Sequence, residues 1–369
     1  MMSSVVHKRL RVFDDRPASP VGRRTTINGV SMIEIDGSYG SGGGQVLRTA
    51  VGMAALTGKP CKVTGIRAKR PNPGLREQQL RAIKAVSSLC SGKLEGASMG
   101  SKEIVFHPGK ISKEEIFVKI STAGSAGLVL QALLIPASRC KLKITVSGGG
   151  TYGKWASPVA YLQNVLCSLL SDMGYRFEIK VLSEGFYPKG GAEVVAVTYP
   201  AQWKPVELMH RGGVLSINGI SAASMSLKEK RAAERQAEAA QKILYQQYRT
   251  LPSIDVRYFP TLCPGSGLQL WVDTEHLLRV GADSVGELKR KSEDVGREAA
   301  RKLIKEYEGG GLDSHAADQI LPYLALAGGK IRVSQVTQHC RTNAFVIEKF
   351  LPVKFKIEHN VIEVVKEGQ

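Results

Sequence analysis

The order of apolar and polar positions breaks this chain into short strands and helices that recur in one grammar. From Met32 it reads strand (32–36, MIEID), glycine-rich turn (37–44, GSYGSGGG), apolar helix (45–56) and strand (61–66, CKVTGI). A second helix is predicted over 75–89, with strands around KLEG (93–96) and EIVFHP (103–108). The grammar returns as strand 116–121, small-residue turn 122–127 (TAGSAG), helix 128–135, strand 141–146, helix 158–173 and strand 176–182. A third copy follows in 318–327, 330–336, the helix 342–350 and the strand 354–359. Its first strand is expected far upstream, at 192–199, so that something is inserted into the third unit. Three copies with matching turns mark an internal repeat.

The stretch expected to be inserted, 206–308, has its own organisation. Strands are predicted at 214–221, 254–259 and 267–274, and charged helices at 227–248 and 295–307, the second ending at Gly309-Gly310-Gly311. Strands alternating with helices place the whole chain in the α/β (α+β) class. The expected division is an N-terminal arm at 1–31, a repeat-built domain at 32–205 and 309–369, and a smaller inserted α/β domain at 206–308.

Composition adds a partner class. Fifty-one Lys and Arg against 33 Asp and Glu give a net charge of +18 over 369 residues, a field that attracts polyanions, nucleic acid first. Cys61, Cys90, Cys140, Cys167, Cys263 and Cys340 are scattered without a C-x-x-C pair, which speaks for free thiols in a reducing compartment. The longest apolar run, 128–137, is about half of the roughly 20 residues a membrane span needs. Residues 1–31 are basic and lack the apolar stretch of a secretory signal, so the expected location is the cytoplasm.

Candidate chemistry gathers at the turns. Glycines between Asp36 and Gln45 can aim backbone N–H groups at an anion beside a helix start, or simply supply a tight turn; neither the P-loop nor the dinucleotide pattern is present. The proline-stiffened loop 66–76 carries Arg67, Lys69, Arg70 and Arg76, and guanidinium forks suit phosphate. His315 and Asp318 stand three apart at a helix start and share a face. His339 is expected between the strand 330–336 and the helix 342–350. A helix N-terminus there disfavours the imidazolium, and neutral imidazole is the nucleophilic form. On spacing alone a lone histidine at such a junction is more often structural than catalytic.

Taken together, the blocks IDGSYGSGGGQVLRTA, IRAKRPNPGL, STAGSAGLVLQALL, GFYPKGGAEV, ERQAEAA, HAADQILPYLALAGG and QHCRTN resemble the RNA 3'-terminal phosphate cyclase family. The resemblance implies three repeated units, each a four-stranded sheet with two helices, plus a smaller inserted domain. That fold is shared with the enolpyruvyl transferases and with the C-terminal domain of a bacterial translation initiation factor. It also implies a reaction: ATP, with a divalent cation (Mg or Mn), adenylates a histidine, and AMP passes to an RNA 3'-phosphate. The neighbouring 2'-OH then closes a 2',3'-cyclic phosphate. His339 takes the nucleophile's position. Gln131 and the run His315, Ala316, Ala317, Asp318 and Gln319 fall where the family contacts ATP. Tyr161 falls where an aromatic packs near adenine, and Arg48, Arg67 and Arg70 match phosphate-binding arginines.

Three positions depart from the family pattern. Ser41 stands where an acidic residue serves the metal, Tyr152 replaces an Asp after the SGG-type turn, and Gln78-Gln79 replaces a Gln-His pair. A hydroxyl is a weaker ligand for a hard cation than a carboxylate. These departures keep a second class open, a catalytically weakened or inactive cyclase-like RNA-binding protein of RNA processing or ribosome assembly. An enolpyruvyl-transferase-type enzyme is a third class, but it has no use for a nucleophilic histidine.

Overall fold

The computed structural model describes residues 25–27, 30–40, 42–276 and 278–367. Three sheets in it repeat one topology. The first contains β2 (Val30–Asp36), β3 (Cys61–Thr64), β4 (Lys93–Glu95) and β5 (Ile104–His107), with β1 (Thr25–Ile27) added antiparallel on the edge of β2. Its order is β1-β2-β3-β5-β4. The second is β6-β7-β9-β8, from β6 (Glu115–Ser125), β7 (Leu142–Gly150), β8 (Phe177–Ser183) and β9 (Glu193–Thr198). The third is β10-β15-β17-β16, from β10 (Val206–Leu208), β15 (Gly329–Arg332), β16 (Val353–Glu358) and β17 (Val361–Lys366). In each, two parallel strands are followed by an antiparallel hairpin.

Several strand assignments differ from the sequence reading. Glu193–Thr198 closes the second sheet as β9, and the third sheet opens with β10, three residues inside the stretch expected to be inserted. A three-residue strand is too short to show a period, which is why it escaped notice. Of the TAGSAG segment, residues 122–125 continue β6, with a register shift after Ile120, and Ala126 and Gly127 open α3, so no turn forms. At the other end, β1 pairs with β2 upstream of Met32; residues 1–24 lie outside the described residues.

The helices lie inside and the sheets outside. Along β6, Ile116, Val118 and Ile120 are buried while Glu115, Phe117 and Lys119 face out, as a one-sided strand requires. The central helix α1 (Gly44–Thr57) buries nearly all of its surface and packs on α2 (Glu77–Leu89), α3 (Ala126–Ala137) and α10 (Gln338–Phe350). It stops at Gly58, whose left-handed backbone lets its N–H cap Ala54 O. Between α4 (Val159–Tyr161) and α5 (Cys167–Asp172) the helix widens into a π turn over Leu162–Leu166. The Asn164 carbonyl there accepts from Arg279 Nη1 at 2.6 Å.

Between β10 and β15 lies a fourth sheet, β12-β11-β13-β14, from β11 (Val214–Ser224), β12 (Ser253–Phe259), β13 (Ser266–Thr274) and β14 (Arg279–Val285). The helices α6 (Ala232–Tyr248) and α7 (Ser292–Glu308) cover it, and together they close a core of their own around Leu244, Leu268, Leu270, Val295 and Leu303. The short helices α8 (Ser314–Gln319) and α9 (Leu321–Ala327) return the chain to the third unit. No helix among the described residues is long and apolar enough to cross a membrane. All six cysteines are free.

Candidate active site

Three helix starts and one strand from the fourth sheet meet at a single locality. Thr337 caps α10, its Oγ1 accepting from Cys340 N at 3.1 Å. His339 therefore lies in the first turn of α10, not on a connector before it: the helix begins four residues earlier than the apolar pattern suggests. The glycine-rich turn docks on this same turn. A Cβ at Gly40, where φ is +61°, would sit 2.2 Å from Thr342 Oγ1, so only glycine allows the approach. Tyr39 stacks on Phe345 one turn further along, with ring centroids 4.0 Å apart.

Helices α1, α8 and α10 are stitched by side chains that the sequence did not single out in these roles. Gln45 Nε2 donates to Asp318 Oδ2 at 3.0 Å. Thr49 Oγ1 donates to Asn343 Oδ1 at 2.8 Å, and Asn343 Nδ2 donates to the Asp318 carbonyl at 2.7 Å. Arg48 is half-buried in this junction. Burial lowers its pKa to about 10, against the opposing attraction of Asp318. The pKa of His339 is lowered as well, first by burial and then by the positive charges of Arg48 and Arg70. Its imidazole is accordingly neutral at pH 7.

A second side of the locality is built on α8. Gln131 Nε2 and Gln319 Nε2 both donate to Ser157 Oγ, at 3.3 and 3.0 Å. Gln319 Oε1 is buried and finds no donor among the described residues. His315 Nε2 lies 3.3 Å from Asp283 Oδ1 on β14, and its ring stands edge-on to Tyr161 at 5.4 Å. Burial would lower its pKa, but the bond to Asp283 and the charges of Asp283, Asp313 and Asp318 carry it up to about 9. Asp318 moves up to about 6 because burial outweighs His315, Gln45 and Arg48. At neutral pH the site thus holds a cationic His315 and a neutral His339.

A family model described as RNA 3'-terminal phosphate cyclase matches residues 39–357. The chain is 45% identical over 354 residues to an RNA 3'-terminal phosphate cyclase from Methanopyrus kandleri, covering 92% of this chain and 100% of that protein. The cyclase from Pyrococcus furiosus is 44% identical over 340 residues (90% of this chain, 97% of the relative), and that from Thermococcus kodakarensis 42% over 334 (90% and 96%). This chain belongs to the RNA 3'-terminal phosphate cyclase family. It is an enzyme of that family.

Against the cyclase expectation the structure sorts the candidate residues. Arg48, His339, Gln131, His315, Asp318 and Gln319 gather at the site. Ala316 and Ala317 are fully buried, and their N–H groups bond to Asp313, so they form the floor beneath the other three α8 residues. Tyr161 is fully buried too. It backs His315 from below, its hydroxyl donating to Asp313 Oδ1 at 2.7 Å. Arg67 braces its own loop through Nη1, which donates to the carbonyls of Asn72 and Gly74, whereas Arg70 is exposed and near enough to His339 to affect its charge. Lys69 closes that loop over the glycine turn by donating to Gly40 O at 2.8 Å.

The departures from the family pattern occupy different parts of the fold. Tyr152 is buried, stacked on Phe186 with centroids 6.0 Å apart and packed over Gly267 of β13. Gln78 Oε1 accepts from Ser125 N, and the Gln79 amide comes against Gly44 beside Arg48. Ser41, the metal candidate, lies outside the described residues. Among the described residues no three His, Cys, Asp or Glu side chains are grouped to hold a metal ion.

Proposed function

We propose that this cyclase uses ATP to convert an RNA 3'-phosphate into a 2',3'-cyclic phosphate, through AMP carried on His339. The observation that carries the reading is the setting of His339: the first turn of α10, where burial first and then the charges of Arg48 and Arg70 keep the ring neutral. A neutral ring nitrogen can attack the α-phosphorus of ATP, forming an N–P bond as the bond to pyrophosphate breaks. The opposite ring nitrogen gives up its proton as the adduct settles. The opposite ring nitrogen takes a proton back, an oxygen of the RNA 3'-phosphate attacks the same phosphorus, and the N–P bond breaks to free neutral imidazole. Finally the 2'-OH attacks the 3'-phosphorus, losing its proton, and AMP leaves. This last step is intramolecular, so orientation supplies much of its acceleration.

The other residues divide by chemistry. Arg48 and cationic His315 suit the phosphates, where charge develops. Gln131 and Gln319, held by Ser157, present amides to the nucleoside, and Gln319 Oε1, without a partner among the described residues, fits an amino-group donor such as adenine carries. Arg70 fits the RNA end. A divalent cation, Mg or Mn, would arrive on the nucleotide's phosphates; the described donors do not make a cation site by themselves, and no step above runs through it.

The reading is tested with an oligoribonucleotide carrying a labelled 3'-phosphate. ATP and a divalent cation are expected to render the label resistant to phosphatase. A label that stays phosphatase-sensitive with every cation and pH tried would overturn the reading.

A pH dependence follows from the same geometry. Self-adenylation requires neutral His339, and its pKa lies below the ordinary histidine value of about 6.5. At saturating ATP the acid-side fall in rate should therefore come only at pH values beneath that point. Arg70→Gln removes a charge that depresses the pKa, so the acid limb should move up in pH with the alkaline plateau intact. A limb that stays put or moves down would contradict the electrostatic assignment. Arg70 is the cleaner choice because Arg48 also acts on Asp318.

A further inference from the structure

A groove of about 310 Å³ opens between α2 and β6, outside the site just described. It is lined on one side by Arg81 and Lys84 and on the other by Lys113, Phe117 and Lys119. Its one acidic lining residue, Glu115, is paired with Lys143 at 3.2 Å. Arg81 is engaged by Glu77 and Lys113 by the Ser88 hydroxyl, whereas among the described residues Lys84 and Lys119 have no ion-pair partner. Phe117 is 68% exposed although the strand around it is one-sided and well buried behind. Nothing in the packing of this sheet calls for an outward phenylalanine.

The groove has a direction. Lys113 meets Ser88 at the C-terminal end of α2, and β6 then runs back along the helix until Ser121 N bonds Glu77 Oε1 and Ser125 N bonds Gln78 Oε1. That near end is the active site: Gln79 and Arg48 flank Gly44 together, and Ser125 caps α3, which carries Gln131. From Gln79 to Ser88 the helix rises about 13 Å. A positively charged channel with an exposed aromatic, leading away from the place where a polynucleotide end reacts, has the chemistry of a single-strand track. Cations follow the backbone, and an aromatic face stacks a base of any identity.

We propose that the RNA strand upstream of the reacting 3'-phosphate lies in this groove, with Lys84 and Lys119 on its backbone phosphates and Phe117 stacked on a base. The inference rests on the function proposed above, and deepens it by assigning the site that holds the body of the substrate. It also gives the high positive charge of the chain a local use.

The test compares 3'-phosphorylated oligoribonucleotides of two lengths on the full chain. One is a dinucleotide, confined to the active site; the other is a strand of about twelve nucleotides, within the usual span of single-strand sites. Binding is read by fluorescence anisotropy over a salt series, and self-adenylation is followed separately with labelled ATP. Lys84→Ala/Lys119→Ala should weaken the long strand about tenfold and flatten its salt slope by about 1.4, or 0.7 for each lost phosphate contact. Phe117→Ala should weaken it about tenfold with the salt slope unchanged. The dinucleotide and self-adenylation should not respond to either change. Equal losses at both lengths, or no loss at either, would overturn the groove, the latter leaving it to an acidic protein segment instead. A wild-type chain that fails to adenylate itself while the groove variants still lose the long strand would sink the catalytic reading alone.

Discussion

His339→Ala is expected to remove covalent labelling by α-labelled ATP, lowering its rate by at least about 10⁴-fold, the scale on which loss of a nucleophile acts. Wild-type label should survive alkali and be lost in acid, as an N–P bond is; ester-linked label on a hydroxyl would behave otherwise. The substitution is structurally mild. His339 is half-buried in a helical turn whose cap is Thr337, and alanine is the best helix former, so stability should change by less than about 1 kcal/mol. His339→Asn, polar and without a nucleophilic ring, should fail equally. Label retained by the alanine variant would move the nucleophile elsewhere. His315 is the other imidazole within the site, but at a pKa of about 9 it is protonated and lacks a nucleophilic lone pair at neutral pH. Nucleotide binding separates the two histidines further. Loss of His339 should leave ATP affinity within a few-fold of wild type, whereas loss of cationic His315 should weaken it.

What the sequence disclosed and what it hid follow from the range of the interactions. The three-fold repeat was legible because a one-sided strand or an apolar helix writes a local period, and Ile116, Val118 and Ile120 alternate with Glu115, Phe117 and Lys119 in plain view. Closing strands were less so: β9 was given to the wrong sheet, and β14 and β17 were missed, because their partners are set by hairpin pairing and not by composition. Resemblance supplied the list of candidate site residues, but not the division of labour within it. Spacing puts His315 and Asp318 on one helix face, but only the folded chain shows Ala316 and Ala317 spent on the floor beneath it. Gln45, Asn343, Ser157 and Asp283 were invisible for a different reason. Each acts through a partner at least 25 residues away, so only the folded chain shows what it does. Asp313 did leave a local trace. An Asp directly before the run Ser314-His315-Ala316-Ala317 is an N-cap signature, and the structure makes it more than a cap.

Asp313→Ala should be the most destabilising single change at the site, costing about 3–5 kcal/mol. The carboxylate is fully buried, and four donors converge on it from three elements. Oδ1 accepts from His315 N at 3.0 Å, Ala316 N at 2.9 Å and the Tyr161 hydroxyl at 2.7 Å; Oδ2 accepts from Gly281 N at 2.8 Å. Truncation leaves these donors without an acceptor. A buried orphaned donor costs about 1–3 kcal/mol, and at least Tyr161 and Gly281 are too deep for solvent to replace the oxygen. Neutralising Asp313 would also remove one of the charges that raise the pKa of His315. The functional consequence is directional. Asp313 pins the start of α8 to α4 and β14, and α8 carries His315, Asp318 and Gln319. An Asp313→Asn variant keeps one acceptor oxygen but turns an amide toward the Gly281 N–H. It should lose roughly half as much stability, bind ATP more weakly, and keep a near-normal rate of adenylation once saturated. Chemical denaturation reads the stability, and ATP titration of self-adenylation separates KM from kcat. Wild-type stability in the alanine variant, or an unchanged KM for ATP in a destabilised asparagine variant, would show that α8 is held in place by something other than this carboxylate.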